Sequence, residues 1–369
     1  MPGILRKEAA QEYLEGVPKF TYAVERDSFI QALRSVAQAL GREISYPMLK
    51  GFSATGFRLM FAEDWRRFTP DALCGFDHAD MAFQALGLRA NALEIAPAEP
   101  ARDASRNAII QSIASGYPVM ALRLMTWEDW GVIAGYRDHG AKLLCRTPHD
   151  PTAEFAENTH WPWLIFIITG EAAVPDRKVS ALKSLRTAIE LFETERYGRY
   201  YSGKAAYVHW LTGLKNSDSY QQLGERAALN YRAWIAQIHR AEADNFNEDR
   251  PYASRYLERA HVNSWRLTSL LDARRAAAAY LKEIAAWFSA PSAARLLQAG
   301  QLHSEIHELL GTAKPFAPSE WKLEEDPWNQ EKRNQQAHIL EKVLDLEEQA
   351  VACLKKVLEG DHDGGRQEG

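Results

Sequence analysis

Apolar positions at Ile30, Leu33, Ala37 and Leu40 recur three or four residues apart, which places them on one face of a helix. Asp27 or Ser28 caps its start and Gly41 stops it. A second short helix starts at Ser45, a third spans Ala79 to Leu88 behind a cap at Asp77, and a fourth covers Ala104 to Ser115 ahead of Gly116. The period then changes. Val119, Ala121 and Leu122 lead into "DWGVIAGY" and "AKLLCRT", two apolar runs joined by Arg137-Asp138-His139-Gly140, a hairpin signal. "WLIFIIT" adds a strand that reads as buried on both faces. Strands and helices in mixed order predict an α+β domain.

Gly170 and Pro175 in "TGEAAVPDRK" mark the boundary of that domain, giving residues 1–175 and 176–369. Beyond it the period is helical almost throughout. Leu182, Leu185, Ile189 and Phe192 share one face, as do Tyr207, Trp210, Leu211 and Leu214, and later Leu340, Val343, Leu344, Ala350, Val351 and Leu354. Breaks at Asn216, Pro251, Pro291, the Pro315–Pro327 segment and Gly360 divide this half into about five or six helices. No fixed period of the solenoid kind recurs, so an all-α helical bundle is the expected architecture.

Composition narrows the function classes. With 44 basic and 49 acidic residues the chain carries a formal charge of −5 and no basic run, so neither nucleic acid nor an anionic membrane is an expected partner. The longest apolar run, "WPWLIFIITG", is about half a bilayer span. The first residues carry charge where a secretion signal needs its apolar core. Three cysteines, at 74, 145 and 353, have no metal-binding or redox spacing. The expectation is a cytoplasmic protein with reduced thiols.

The start of the first helix is the place where chemistry would sit. Its unpaired N–H groups and positive dipole end favour an anion. A thiol there becomes a nucleophile, whereas a serine hydroxyl needs a base beside it. The residue present is Ser28, and its plain role is a cap shared with Asp27.

Further motifs surround it. Ala32-Leu33-Arg34, Gly41, Gly51 and Gly56-Phe57 follow Ser28, and Trp130-Gly131 and Gly135-Tyr136 lie about a hundred residues on. In this pattern residues 20–170 resemble the butirosin-biosynthesis protein H N-terminal domain family, related to bacteriocin-processing cysteine peptidases and so to papain-like folds. "YSGKAAYVHWLTGL" is similar to that family's C-terminal region. The resemblance implies a papain-like N-terminal domain followed by the helical bundle. Active relatives transfer an acyl group from a carrier-protein thioester to an amine, using a cysteine and a histidine. The corresponding positions here are Ser28 and Asp129, so the resemblance implies a frame without its catalytic pair. The cleft of such a fold would be lined by Ser28, Ser53, Thr55, Arg58, Asp129 and Trp130. Its opposite charges, Arg58 and Asp129, suit a zwitterionic or amine-bearing ligand.

Three functions are therefore weighed. The first is non-catalytic binding of a small molecule or peptide in a degenerate cleft. The second is acyl transfer or amide hydrolysis at a rearranged site. The third is a helical interaction module, which allows a homo-oligomer. His78 and His139 are the histidines that could serve Ser28, but the first sits at a helix start and the second in a turn. His149, Asp150 and His160 flank a loop and read as exposed. His303 and His307 stand four apart, as a metal pair on one helix would, without a third ligand in sight. "GFSATG" lacks the Lys-Ser or Lys-Thr of a phosphate loop. No metal and no cofactor is expected.

Overall fold

The structure, a computed structural model, describes residues 2–8, 10–65, 71–95, 99–124, 129–150, 152–158, 161–216, 255–319, 323 and 326–364. Within these the chain is mixed α+β with a helical C-terminal region. It divides into two compact units, residues 1–53 with 78–180, and residues 54–77 with 181–369. The expected break at Pro251 and the side chain of His160 lie outside the described residues.

The first unit opens with a hairpin of β1 (Leu5–Glu8) and β2 (Gln11–Leu14) that the apolar period did not announce. These strands are short and mostly exposed, so no alternation of buried positions marks them. Next come α1 (Ser28–Ala39) and α2 (Tyr46–Phe52), capped by Asp27 and Ser45 as expected: Asp27 Oδ1 accepts from the Ile30 amide and Ser45 Oγ from the Met48 amide. After β3 (Met60–Ala62), which belongs to the second unit, follow α3 (Ala79–Ala85), β4 (Leu88–Glu94), α4 (Glu99–Ala114) and β5 (Val119–Leu122). Two expectations at α3 are corrected. Its cap residue is His78, not Asp77, and Leu88 begins a strand instead of ending the helix. Gly87, at φ +62, makes that change of direction; a β-carbon there would lie 2.7 Å from the Ala172 carbonyl.

The predicted hairpin forms from β6 (Trp130–Arg137) and β7 (Lys142–Arg146), joined by a single 3₁₀ turn at Asp138–Gly140. β8 (Ala156–Asn158) and β9 (Leu164–Glu171) complete an antiparallel sheet. β6 is its hub, pairing with β7, with β5 along Trp130–Ile133, and with β2 along Gly135–Arg137. The apolar face of α1 packs on this sheet. Phe29 meets Trp130 edge-on at 5.4 Å, and Trp130 stacks on Phe166 of β9 at 5.5 Å.

The second unit contains α5 (Arg177–Glu193), which the contact division enters at Ala181, then β10 (Arg196–Tyr197), β11 (Tyr200–Ser202) and α6 (Gly203–Lys215). Three long helices follow: α7 (Arg255–Ile284), α8 (Ala290–Ala313) and α9 (Gln330–Gly364). Three strands interrupt the helical reading of this half, because residues 54–77 join it: β3 pairs with β11 and β11 with β10. Phe61 and Trp65 from that segment lie in one core with Tyr207, Trp210, Leu270, Leu310 and Leu340. The tyrosines at 197, 200 and 201 sit on these strands, with Tyr201 stacked on His209 at 4.5 Å. The expected stop at Gly360 does not hold, since α9 runs on to Gly364. One glycine costs a helix about 1 kcal/mol, which tertiary packing overrides.

Candidate functional site

The first turn of α1 meets the first residue of β6. Ser28 is buried, and its Oγ accepts a hydrogen bond from the Trp130 amide at 3.1 Å. The phenol of Tyr22 lies near this hydroxyl and donates to Asp129 Oδ1. The other carboxylate oxygen, Oδ2, is 3.1 Å from Nε2 of His149. A run of four side chains therefore reads Ser28, Tyr22, Asp129, His149. The Tyr22 and His149 rings meet edge-on at 5.4 Å.

Burial and the Asp129 carboxylate shift the two groups that flank it. Burial first, and then the Asp129 charge, hold the Tyr22 phenol well above its ordinary value, so it stays a neutral donor. The hydrogen bond to Asp129 raises His149 above its usual range, outweighing its partial burial. Asp129 is largely buried while His149 has 51% of its side chain exposed, so the pair lies at the protein surface.

Among the described residues no imidazole bonds the Ser28 hydroxyl. The carboxylate nearest in the network is a poor substitute. A carboxylate lacks the second ring nitrogen by which an imidazole is oriented while it relays a proton. Proton removal from Ser28 would have to pass through Tyr22 to the Asp129 carboxylate.

The six residues expected to line a cleft are not all gathered here. Ser28, Asp129 and Trp130 meet, within the first unit. Ser53 is fully buried, with its Oγ on the Lys50 carbonyl. Thr55 and Arg58 belong to the second unit, where both are buried and Arg58 Nη2 donates to the Cys74 carbonyl at 2.8 Å. Their side chains fall there because residues 54–77 pack with the helical half.

Other candidates are also placed. His78, the residue at the cap position of α3, is fully buried and its Nδ1 lies 2.7 Å from the Ser53 carbonyl. His139 sits in the hairpin turn at φ +55 and is exposed. Asp150, read as exposed, is buried, its Oδ1 accepting from the Thr147 amide and hydroxyl. Cys145 is buried, and burial holds its thiol well above the ordinary value. His303 is buried against Phe57, which pushes its imidazole down to about 4, and His307 Nδ1 lies 2.9 Å from the Leu271 carbonyl. Among the described residues no three His, Cys, Asp or Glu groups converge as metal ligands, and no helix is long and apolar enough to cross a membrane.

Two members of the network escaped the sequence reading. Tyr22 lies in an irregular segment ahead of the helix and carries no periodic signal. His149 was legible in part, because the β6–β7 hairpin returns the chain to the start of β6. Tyr136 pairs with Leu143, but beyond a bulge Ile133 pairs with Cys145, a shift of one residue. Counting back from the turn without that bulge points Asp150, not His149, at Asp129.

The cap beside this site can be tested directly. Asp27 Oδ2 also lies 3.4 Å from the buried ammonium of Lys50. Asp27→Ala is expected to lower stability in urea denaturation by about 1–2 kcal/mol. Asp27→Asn, which keeps the cap but not the charge, should recover part of that loss. Equal losses in the two variants would remove the cap from the account.

Comparison with protein-family models and with curated proteins finds no match for this chain.

Proposed function

We propose that the first unit is a papain-like domain whose reaction centre has become a binding site. It holds a small molecule or peptide and does not turn it over. One observation carries this reading: the Ser28 hydroxyl is engaged by the Trp130 amide, with no imidazole on it among the described residues, and Tyr22 bonds Asp129, the residue that the sequence resemblance aligns with the family's histidine. The meeting of α1's first turn with the first residue of β6 supports it too. The ligand class follows from Asp129. Its Oδ2 faces an exposed histidine, so a ligand amine can replace His149 on the carboxylate and gain a charge-assisted hydrogen bond.

A panel of amine-bearing metabolites and short peptides, screened by thermal unfolding of the full chain, tests this. A ligand present at a hundred times its Kd stabilises by about 2.7 kcal/mol. The expected result is saturable stabilisation by an amine-bearing compound, kept in Ser28→Ala and lost in Asp129→Asn. No stabilisation across the panel sinks the reading.

A second reading, acyl transfer or amide hydrolysis at Ser28, has one observation in its favour. His149 already makes the carboxylate bond that orients a catalytic imidazole, and its ring is half exposed. An acyl adduct on Ser28 that disappears in His149→Ala would establish it over the first.

A further inference from the structure

The second unit buries two arginines on one helix, and they are treated very differently. Arg274 of α7 has a counter-charge: its Nε donates to Glu347 Oε1 at 2.5 Å and its Nη1 to the Gly56 carbonyl at 2.8 Å. Arg266, two turns earlier on α7, is 98% buried, yet its Nε and Nη2 have no hydrogen-bond acceptor. A buried guanidinium without a counter-charge is strongly unfavourable.

The surroundings deepen the imbalance. Arg58 is 93% buried and brings a second positive charge; burial first, and then Arg58, push Arg266 well below its ordinary value. The Phe61 ring, 5.8 Å from the Arg266 guanidinium carbon, offers a π face but accepts no hydrogen bond from Nε or Nη2. Nor does Cys74 supply the charge. Burial and Asp71 raise its thiol above the ordinary value despite the two arginines, so it is neutral near pH 7. Among the described residues no carboxylate pairs with Arg266.

The unanswered donors have a definite shape. Nε and Nη2 are the adjacent, parallel N–H pair of a guanidinium, the edge that grips two oxygens of one carboxylate or phosphate. Cys74, near both arginines, and Tyr200, near Arg58, are only partly buried. We propose that the second unit holds a small oxyanion, the phosphate or carboxylate group of a ligand, bound edge-on by Arg266 with Arg58 as the second cation. This site lies wholly within the second unit and is independent of the function proposed for Ser28 and Asp129.

The full chain is titrated calorimetrically with potassium phosphate and with potassium acetate, against potassium chloride at equal ionic strength. Thermal unfolding is followed in parallel. Saturable binding of phosphate or acetate, with one site per chain and a rise in Tm that chloride does not give, is the expected result. A response to phosphate alone assigns a phosphoryl group, and a response to acetate alone assigns a carboxylate. Arg266→Gln is expected to weaken binding at least tenfold. Arg58→Gln, which leaves α7 unchanged, is expected to weaken it in the same direction and serves should the first variant fail to fold. Wild-type protein that responds to neither anion beyond chloride overturns the proposal, as does undiminished binding in the folded variants.

Discussion

Glu347→Ala lowers the stability of the second unit by about 3–5 kcal/mol, the loss expected when one partner of a buried ion pair is removed. Glu347 of α9 is 2% exposed and Arg274 of α7 is 1% exposed. One carboxylate oxygen, Oε1, accepts both from Arg274 Nε at 2.5 Å and from the Tyr207 hydroxyl of α6 at 2.8 Å. Three helices therefore share a single acceptor. Removing it leaves a buried cation and a buried phenol without that partner, and each costs free energy to keep from water. Most of the expected loss comes from the abandoned charge, so the double variant Arg274→Met with Glu347→Leu should regain much of it. Urea denaturation followed by tryptophan fluorescence measures both. A loss below about 1 kcal/mol in Glu347→Ala would match an exposed pair and contradict the burial of this one.

The second large effect falls in the first unit. Gly135→Ala is expected to cost about 3 kcal/mol, the upper part of the range for overpacking, or to detach the first hairpin from the sheet. Gly135 of β6 pairs with Tyr13 of β2. A β-carbon there would lie 2.5 Å from Tyr13 Cβ and 2.7 Å from its Cα, and closer still to the Glu12 carbonyl oxygen. These are backbone atoms or atoms fixed to the backbone, so they cannot swing away as a long side chain would. A glycine at a bulge often marks such a close approach of two backbones. Hydrogen exchange separates the two outcomes: amides of β1 and β2 lose protection selectively if the hairpin detaches. Gly311→Ala is the matched control, since a β-carbon there meets nothing within 4 Å and the residue is helical. It should be neutral or slightly stabilising. Unchanged stability in Gly135→Ala would mean that β2 does not pair with β6 in solution.

These two sites show what local pattern does and does not carry. Asp27 and Ser45 announce their helices because a cap acts on amides two or three residues away. The β6–β7 hairpin is announced by its own turn. Gly135 is visible as a glycine near a tyrosine, but its reason is Tyr13, more than a hundred residues earlier. Arg58 is visible as a charged residue in a strand-like run, yet whether it faces solvent, a cleft or Arg266 depends on where residues 54–77 pack. Gly75 of that segment, at φ +83, turns the chain against Tyr197 and Tyr200, and β3 pairs with β11. Such pairing over about 140 residues leaves no periodic trace in either strand, each only three residues long.

The candidate site divides in the same way. Order along the chain already established that the helix begins with a hydroxyl and not a thiol, and that a carboxylate precedes Trp130-Gly131. Those are matters of residue identity and of caps and turns acting over a few positions. The partners of these groups were settled by folding. A one-residue bulge between Ile133 and Gly135 sets the hairpin register, and His149 lies on Asp129. An irregular segment carries Tyr22 between Ser28 and Asp129. The physical reason is reach. Propensity and capping act through bonds and hydrogen bonds spanning at most a few residues, whereas a buried polar group must find its partner anywhere along the chain that packing brings near.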